Sequence, residues 1–386
     1  MTRLVDRGET QSRRGRALFI LTSDRMGGTE RVTRTLALEA ARSGAFEGVD
    51  IFVLAWSRTG TLDELERQAG VRLHYALAPN TSRGMLSMIR FLAARRYAFV
   101  FSSATHVNAV CSAMRKLGLL RTGWLVARES TQAFDRDFGR IGPLSRMLYR
   151  LYGAQDVLVC QTERMRLALS RRMQGRFDSK LKVVSNPIDR ERIERGRRMR
   201  APDEMAEIPP DRTRIVWCGR LSPVKSPLRA IEVVRLLHSS GVKEAHLIVI
   251  GDGPLRDDML SQAINSGLGA FVTFVGQQEN PTAAMAGARL GLVTSDVEGF
   301  PNVILEMLAA GVGAIVTTDC AGDLNTLPST FVSPSADAAT IAKTAIQALT
   351  SEDTCNLGQF LGQRSPASAF RSMMGPNRPS AIHAGT

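Results

Sequence analysis

The sequence predicts an α/β protein with two doubly wound parallel-sheet domains that face a central cleft. Apolar strand-like runs alternate with helical patterns through most of the chain, which is typical of parallel α/β sheets. A polar, charged segment interrupts this alternation after residue 188, and the alternation restarts at residue 214. At 386 residues the chain is long enough for two domains, each with its own core.

The first half of the chain predicts one sheet. Its strand candidates are Ala17–Leu21, Asp50–Trp56, Ala98–Ser102, Gly123–Ala127, Asp156–Cys160 and Lys182–Val184. Helical patterns lie between them, for example at Arg31–Ser43 and Leu144–Tyr152. We therefore predict a first domain over residues 16–190, preceded by a disordered basic N-terminus over residues 1–15.

The second half predicts another sheet after a linker. Residues 191–213 are polar and contain Pro202, Pro209 and Pro210, which favours a linker there. The strand candidates that follow are Arg214–Cys218, Ala245–Ile250, Phe271–Val275, Leu290–Thr294 and Ala314–Thr317. They predict a second domain over residues 214–350, followed by an irregular Ser-, Pro- and Gly-containing tail over residues 351–386.

Composition excludes several classes of protein. Hydrophobic residues make up 44% and charged residues 23% of the chain, as in globular proteins, and no apolar run approaches the roughly 20 residues that span a bilayer. The apolar run Ala17–Thr22 is too short for a signal-peptide core, so we expect a cytoplasmic protein. The five cysteines are far apart without a Cys-x-x-Cys pair, which favours buried thiols over a metal site or disulfides.

The net charge of +13 leaves the partner open. Arginines are dense from Arg136 to Arg200, but no nucleic-acid-binding signature accompanies them, and aromatic residues are scarce at 6%. We therefore expect no nucleic-acid partner. An anionic membrane surface would fit a basic face equally well, as would a solvated surface that is simply rich in arginine.

Two glutamates, Glu298 and Glu306, flank the turn Gly299-Phe300-Pro301-Asn302. Gly299 and Pro301 favour a tight turn, and Asn302–Ala310 reads as a helix that Gly311 ends. A helix N-terminus suits an anionic phosphate, whereas carboxylates accept hydrogen bonds from sugar or ribose hydroxyls. The block fits a site for a phosphate-linked sugar, although an ordinary loop-to-helix junction with two solvated glutamates would look the same.

Other candidate residues follow predicted strands. Gly27-Gly28 lets the backbone approach a ligand closely, but the spacing of a dinucleotide-binding fingerprint is absent and a plain tight turn is the alternative. Arg220 at a strand end and Lys225 before the next helix could form a diphosphate clamp, or be two surface cations. Gln277 follows another strand end, where it could lie beside a base.

The order of these motifs resembles that of the family 4 retaining glycosyltransferases of bacterial polysaccharide and glycolipid synthesis. This family has the GT-B fold, which consists of two Rossmann-like domains, and the resemblance covers roughly Ala17–Ala345. The motifs that carry it are Gly27-Gly28-Thr29-Glu30-Arg31, Ser185-Asn186-Pro187-Ile188-Asp189, Gly219-Arg220-Leu221 with Lys225, Gly251-Asp252-Gly253-Pro254, and Glu298-Gly299-Phe300-Pro301-Asn302 with Glu306.

The resemblance implies roles for these residues. Arg220 and Lys225 would bind the donor diphosphate and stabilise the leaving group. Glu306 would bind the ribose hydroxyls, and Glu298 would contact hydroxyls of the donor sugar. The other implied donor contacts are Gly27 and Gly28 from the opposite domain, Gln277 beside the base, Gly299 and Phe300 in the turn, and the backbone of Asn302 and Val303 facing phosphate.

Two further candidates come from the first half. The family has a histidine that touches the donor sugar, and His106 matches its position, although a lone histidine is more often structural than catalytic. Glu129, at the end of a predicted strand, is a candidate for contact with the acceptor.

The sequence departs from the family pattern at three places. Ser226 follows Lys225 where glycine is usual, and Gly313 stands where the family mostly has proline. From Ser351 onward no helical apolar stripe is visible, whereas the family ends with a helix that crosses back to the N-terminal domain.

The resulting hypothesis is a retaining, metal-independent glycosyltransferase of hexosyltransferase type that needs no cofactor. It would move a sugar from a nucleoside diphosphate sugar to a hydroxyl of a glycan or lipid-linked acceptor, in cell-surface polysaccharide or glycolipid synthesis. Its basic half suggests work at the inner face of a membrane. The alternatives are a catalytically impaired nucleotide-sugar-binding protein, a nucleotide-sugar epimerase of the same fold, and a nucleic-acid-binding protein.

Overall fold

The computed structural model describes residues 15–25, 27–55, 58–76, 78–130, 143–351 and 357–375. In these residues the strands form two separate parallel sheets. The first contains β1 Ala17–Leu21, β2 Val49–Val53, β3 Val71–Tyr75, β4 Arg96–Ser102, β5 Arg121–Arg128, β6 Val157–Cys160 and β7 Leu181–Val183. The second contains β8 Thr213–Cys218, β9 Ala245–Ile250, β10 Val272–Gly276, β11 Leu290–Val293, β12 Ala314–Thr318 and β13 Thr330–Ser333.

Helices connect the strands in both halves. Those of the first half are α1 Gly28–Arg42, α2 Asp63–Glu66, α3 Thr81–Ala93, α4 Thr105–Lys116, α5 Pro143–Leu151 and α6 Glu163–Arg172. Those of the second half are α7 Arg190–Arg197, α8 Leu228–Ser239, α9 Arg256–Asn265, α10 Thr282–Met285, α11 Asn302–Ala310, α12 Ala338–Thr350, α13 Leu357–Gln363 and α14 Pro366–Met373.

Both sheets are doubly wound. The first has the order β3-β2-β1-β4-β5-β6-β7 and the second the order β10-β9-β8-β11-β12-β13, with parallel pairing throughout. The chain direction across each sheet therefore reverses between β1 and β4 and between β8 and β11. These reversals are the switch points where ligands of such sheets bind. The predicted α/β class with two parallel sheets is confirmed.

The strands that sequence reasoning missed lie at sheet edges. β3 and β13 are each the outermost strand of their sheet. An edge strand is partly exposed, and polar residues interrupt the apolar run: Arg72 and His74 in β3, and Thr330 and Ser333 in β13. Neither segment therefore stands out as an apolar run in the sequence.

The segment predicted as a linker, residues 191–213, differs in the structure. Most of α7 lies in it, and α7 packs against α10 and α11 of the second domain. Four apolar side chains from residues 188–208 join the core of that domain: Ile188, Ile193, Met205 and Ile208. Because these residues are widely spaced among charged ones, the sequence conceals their shared packing.

The tail also differs from the irregular segment that the sequence predicts. α13 and α14 lie within it, and α14 packs against α1 of the first domain. Phe370 of α14 is buried beside Phe99, with ring centroids 5.5 Å apart, and Trp124 Nε1 donates to the carbonyl of Met373 at 2.9 Å. The chain thus crosses back to the first domain.

The cysteines agree with the expectation of free thiols where they are described. Cys111, Cys160 and Cys320 are buried and Cys218 is half-buried, and all four are unpaired. Burial raises the pKa of the Cys111 thiol to about 12, so it stays protonated. Cys355 and residues 1–14 lie outside the described residues.

Candidate active site

The candidate residues gather beyond the carboxyl ends of β1, β8 and β11, at the two switch points. The loop after β8 is held close to the loop after β9. Gly251 has a φ of +135°, and a Cβ added there would overlap the carbonyl oxygen of Gly219. Only glycine fits this approach, which sets the position of the loop that carries Arg220 and Lys225.

Lys225 and Glu298 form an ion pair between these loops. Lys225 ends a 3₁₀ helix, and its Nζ lies 2.6 Å from Glu298 Oε1. Ser295 Oγ donates to the same carboxylate oxygen at 2.6 Å, and the Glu298 N–H donates to the carbonyl of Cys320 at 2.8 Å. Glu298 is only 12% exposed. The pair therefore presents an ammonium donor and a fixed carboxylate acceptor side by side.

Arg220 is an exposed cation in the loop that also carries Lys225. It follows β8, and its guanidinium makes no ion pair with any described residue. A free guanidinium at a switch point is suited to bind an anionic group such as a diphosphate.

Two of the departures from the family pattern, Ser226 and Gly313, have local structural explanations. Ser226 adopts a φ of 46°, which favours glycine, but its Oγ donates to Asp296 Oδ2 at 2.7 Å and holds the loop in place. The N–H of Gly313 donates to the carbonyl of Ala288 at 3.1 Å. Proline, which lacks this N–H, would lose that hydrogen bond.

Glu306 pairs with a cation from the other domain. It lies on α11, and its Oε1 accepts from Arg31 Nη1 on α1. The Glu306 and Arg31 side chains are 14% and 23% exposed, and attraction to Glu306 raises the pKa of Arg31. The ion pair therefore crosses the cleft, which sequence reasoning missed although Arg31 stands in the quoted motif.

Asn302 joins the domains at the start of α11. Its Nδ2 donates to the carbonyl of Gly28 at 3.2 Å, and its Oδ1 accepts from Asn186 Nδ2 at 2.6 Å. Nearby, a Cβ added to Gly299 would overlap the carbonyl oxygen of Ser130. The structure thus brings Gly28, Gly299 and Asn302 together across the cleft, with Gly27 capping α1 beside them.

A buried polar network around Arg128 contacts Asn302 through Asn186. The sequence analysis assigned this network no role. Arg128 is 2% exposed, and its Nη2 donates to Gln161 Oε1 at 2.7 Å and to Asn186 Oδ1 at 2.8 Å. Its Nη1 donates to Ser103 Oγ at 3.0 Å. Burial lowers the pKa of Arg128 to about 10, so its charge persists at neutral pH. In the sequence, the motif Ser185-Asn186-Pro187-Ile188-Asp189 was the signal that could have pointed to this network.

Three predicted donor residues differ in what their side chains can reach. Phe300 is buried in the core of the second domain, with the Arg364 guanidinium 5.6 Å from its ring centroid. Val303 packs against the same core. Gln277, by contrast, is exposed after β10. Phe300 and Val303 therefore support the loop, and only their backbone could face a ligand.

His106 lies in the first turn of α4. Its Nε2 is buried and has no hydrogen-bond partner among the described residues. Burial lowers the pKa of His106, so the ring is neutral at pH 7. A neutral ring with an unpaired nitrogen can exchange a hydrogen bond with a hydroxyl, as predicted for the donor sugar, and this contact stays a prediction.

Glu129 is enclosed by the first domain. It is 2% exposed and accepts hydrogen bonds from Tyr149 Oη at 2.9 Å and Tyr152 Oη at 2.8 Å. Asn108 Nδ2 approaches it at 3.4 Å, and burial raises the pKa of its carboxyl. These contacts give Glu129 a role in tying β5 to α5, and its burial disfavours the predicted contact with an acceptor.

A pocket with ≈ 520 Å³ of empty volume lies beside the Arg31–Glu306 pair. Side chains of both domains line it, including Thr35 of α1, Arg192 of α7 and Leu305 of α11. It is therefore an interdomain pocket.

The second sheet domain matches a known family. Residues 212–351 fit the family model described as glycosyl transferases group 1. This part of the chain is similar to the group 1 glycosyltransferases. The Mycobacterium tuberculosis "GDP-mannose-dependent alpha-(1-6)-phosphatidylinositol dimannoside mannosyltransferase" is 32% identical over 108 residues, which are 28% of this chain and 28% of that protein.

Another relative has a similar extent of match. A Campylobacter jejuni alpha-1,4-N-acetyl-D-galactosaminyltransferase, whose name includes a diphospho-undecaprenol-linked saccharide, is 32% identical over 94 residues. The match covers 24% of this chain and 26% of that enzyme. The chain thus aligns with only about a quarter of the length of these curated relatives.

Solved structures extend the likeness in fold to both domains. Anabaena Alr3699/HepE, crystallised with UDP-glucose, has a TM-score of 0.71 at 18% identity and covers 93% of this chain and 98% of its own. The alpha,alpha-trehalose 6-phosphate synthase of Burkholderia multivorans has a TM-score of 0.64 at 15% identity, with coverages of 95% and 96%. The part that matches the family model therefore forms the second half of a two-domain GT-B fold, as the resemblance implies.

Proposed function

We propose that the protein is a retaining glycosyltransferase that moves a sugar from a nucleoside diphosphate sugar to a hydroxyl of a glycan or lipid-linked acceptor. The observation that carries this proposal is the meeting of the Lys225–Glu298 pair, Arg220 and Glu306 in one cleft. The cleft lies at the switch points of a GT-B fold, and the second domain is similar to the group 1 glycosyltransferases.

The chemistry follows from the charges of the site. Lys225 and Arg220 would neutralise the diphosphate as the bond to the sugar breaks, so the reaction would need neither a metal ion nor a cofactor. Glu298 would orient the sugar hydroxyls while Ser295 holds its carboxylate. The acceptor hydroxyl would attack from the face that the diphosphate leaves, with a phosphate oxygen taking its proton, and the anomeric configuration would be retained.

Similar proteins support the donor and acceptor classes. HepE was crystallised with UDP-glucose, and the mycobacterial relative is named for GDP-mannose and a phosphatidylinositol glycolipid. We propose a nucleoside diphosphate sugar and a lipid-linked or glycan acceptor on this basis, in the cytoplasm and in cell-surface polysaccharide or glycolipid synthesis.

We propose that the protein acts at an anionic membrane surface. Between Glu66 and Glu129 the chain has no acidic residue but ten cations: Arg67, Arg72, Arg83, Arg90, Arg95, Arg96, Arg115, Lys116, Arg121 and Arg128. Across the described ranges, every helix is too short or too polar to pass through a bilayer. Arg128 is buried, and we propose that the other cations make a peripheral contact with the membrane surface.

Substitutions at the cleft test the proposal. Transfer is measured as release of nucleoside diphosphate from a panel of donor sugars, with lipid extracts and glycans as acceptors. Lys225→Ala or Glu306→Gln should lower turnover at least about 100-fold, because each removes a charged contact to the leaving nucleotide. Lys243→Ala, at an exposed lysine ahead of β9, is the matched control and should leave turnover unchanged.

Three outcomes count against specific parts of this proposal. Wild-type turnover in both cleft variants would refute the assignment of the site. Loss of turnover in excess EDTA would refute metal independence, and an inverted anomeric signal in the product's NMR spectrum would refute retention.

The packing of the C-terminal tail on the first domain bears on the alternative that the protein binds a nucleotide sugar without transferring it. An irregular tail was the reason to consider an impaired binding protein. Because α14 packs on the first domain, the chain retains the crossing helix that domain closure requires. This supports an active enzyme over a binding protein that has lost transfer.

A further inference from the structure

The Arg31 side chain has no role among those that the motifs imply. Arg31 belongs to α1 of the first domain, whereas its ion-pair partner Glu306 belongs to α11 of the second. The Nε of Arg31 is buried and lacks a hydrogen-bond partner within the described ranges. A half-buried arginine with a buried, unpartnered Nε, facing the carboxylate of Glu306, has the properties of a residue that completes a site.

We propose that Arg31 is a positioning residue of the donor site that acts through Glu306. Its guanidinium fixes the carboxylate that would receive the ribose hydroxyls, so that affinity for the nucleotide depends on contact between the two domains. This inference rests on the proposed function, which assigns the nucleoside end of the donor to Glu306.

The geometry leaves room for the ribose. Arg31 pairs with Oε1 of Glu306, and in the described part of the chain Oε2 has no partner. A carboxylate offers about four lone-pair sites, so one that pairs with a single guanidinium N–H can still accept two hydroxyl groups. Both residues line the interdomain pocket, which is the side from which a ribose would reach Oε2 in this proposal.

The charges around the pocket suit a neutral nucleoside. Arg31 and Arg192 line it together with Glu306 and Asp189. Asp189 Oδ1 accepts from the N–H of Arg192 at 3.0 Å and caps α7, while Arg192 Nη2 donates to the carbonyl of Glu279 at 2.6 Å. With Arg192 and Asp189 paired in this way, Glu306 and Arg31 are the charged pair placed to face the ribose, and the phosphates would lie toward Lys225 and Arg220.

A second contact makes the pair part of the closed interface. Asn302, one turn before Glu306 on α11, donates to the carbonyl of Gly28, three residues before Arg31 on α1. The N-terminal turns of the two helices therefore meet along one seam. Binding that fixes Glu306 would favour this seam, and opening of the cleft would release the carboxylate from its partner.

Calorimetric titration with UDP, GDP, ADP and CDP tests the inference. Arg31→Gln should lower the affinity for the nucleoside diphosphate that wild type binds by at least about tenfold. This is the scale of one lost charged hydrogen bond. Arg31→Lys should restore part of the loss because it keeps the charge. The loss should shrink with the 2′-deoxy form of the same nucleotide, because Arg31 acts through a ribose hydroxyl.

The matched control is another ion pair that crosses the domains. Arg164 Nη1 lies 2.8 Å from Asp319 Oδ2, and neither residue lines the pocket. Arg164→Gln should leave nucleotide affinity within about twofold of wild type, which separates positioning of Glu306 from general loosening of the interface. Circular dichroism and thermal melts establish that each variant is folded.

Each other result overturns the inference. Unchanged or tighter binding by Arg31→Gln would show that Arg31 is neutral or obstructs the site. An equal loss with the 2′-deoxy nucleotide would show that Arg31 does not act through the ribose. If wild type binds none of UDP, GDP, ADP and CDP, titrated in turn, the proposed function fails and this inference fails with it. Binding by wild type with unchanged affinity in the Arg31 variants refutes only the inference.

Discussion

At the scale of single residues, Gly299 shows how a missing side chain sets the distance between the domains. A Cβ at this position would overlap the carbonyl oxygen of Ser130 and approach Gln161 Nε2 at 2.6 Å. The turn that carries Glu298 thus rests directly on the backbone of the first domain. The need for glycine here comes from this contact between domains.

Gly299→Ala should impair transfer without unfolding the protein. The added methyl group would force the cleft apart, at a cost of about 1–3 kcal/mol to the closed arrangement. We expect turnover to fall at least about tenfold, with the thermal midpoint nearly unchanged. Gly362→Ala, where nothing lies within 4 Å of the added Cβ, is the matched control. Equal turnover in both variants would contradict the close contact.

The candidate site was predictable from sequence only where its residues belong to local patterns. Lys225 and Glu298 stand in recognisable turns, and the fold places them 2.6 Å apart. The Arg31–Glu306 pair joins positions 275 apart in the chain, and no local spacing encodes such a contact. Glu129 was a candidate for contact with the acceptor because it follows a strand end, and the sequence does not show that Tyr149 and Tyr152 donate to its carboxylate.

At the scale of elements, a buried carboxylate ties four strands of the first sheet together. Asp50 on β2 is 4% exposed and pairs with Arg16 at 2.6 Å, ahead of β1. Tyr97 Oη of β4 donates to it at 3.0 Å, and His74 of β3 lies 3.7 Å away. Burial alone would raise the pKa of Asp50, but the interactions with His74, Arg16 and Tyr97 outweigh burial and hold it at about 2.

Stability should therefore depend on the ionisation of Asp50 in acid. Because the folded-state pKa lies below the unfolded value of 3.8, the stabilisation is present above pH 4 and is lost as the pH falls toward 2. The full contribution is about 2 kcal/mol, and about 1 kcal/mol of it should be gone at pH 3. Urea unfolding of wild type and Asp50→Asn at pH 5 and pH 3 measures this, and a difference between them that does not change with pH would rule it out.

Strands and helices were predictable from the sequence where burial makes their residues uniformly apolar. The central strands are covered on both faces and read as continuous apolar runs, so β1, β8 and β9 were found within a residue or so. α14 is only eight residues long, and its buried face consists of Ala369, Phe370 and Met373. Three apolar residues among serines and a proline make no visible stripe, and only packing on α1 reveals the helix.

At the scale of the whole molecule, positive charge is concentrated on one part of the first domain. Arg96 and Arg121 are register partners at the start of β4 and β5. Leu117 and Leu119 lie in the connection between α4 and β5 and are 73% and 45% exposed. Exposed apolar side chains that stand close to cations in the sequence suit the interface of an anionic bilayer.

Vesicle sedimentation tests this surface. Wild type should sediment with vesicles that contain phosphatidylglycerol at low salt, but not with phosphatidylcholine alone, and salt should release it. The double variant Leu117→Ser, Leu119→Ser should bind several-fold less. The control Leu260→Ser, Ile264→Ser removes comparably exposed apolar residues, 44% and 61%, from α9 of the other domain. Equal loss in both double variants would contradict a dedicated face, and preference for duplex DNA would favour a nucleic-acid partner.

The return of α14 to the first domain has a consequence for synthesis on the ribosome. Trp124 and Met373 share a hydrogen bond although they are 249 positions apart, and Phe370 completes the core around Phe99. The N-terminal domain therefore emerges long before the residues that finish it. At a translation rate of roughly 5–20 residues per second, the N-terminal domain must wait about 10 seconds or more with the core around Phe99 incomplete. A nascent chain of this kind depends on the last part of its own sequence to close its first domain.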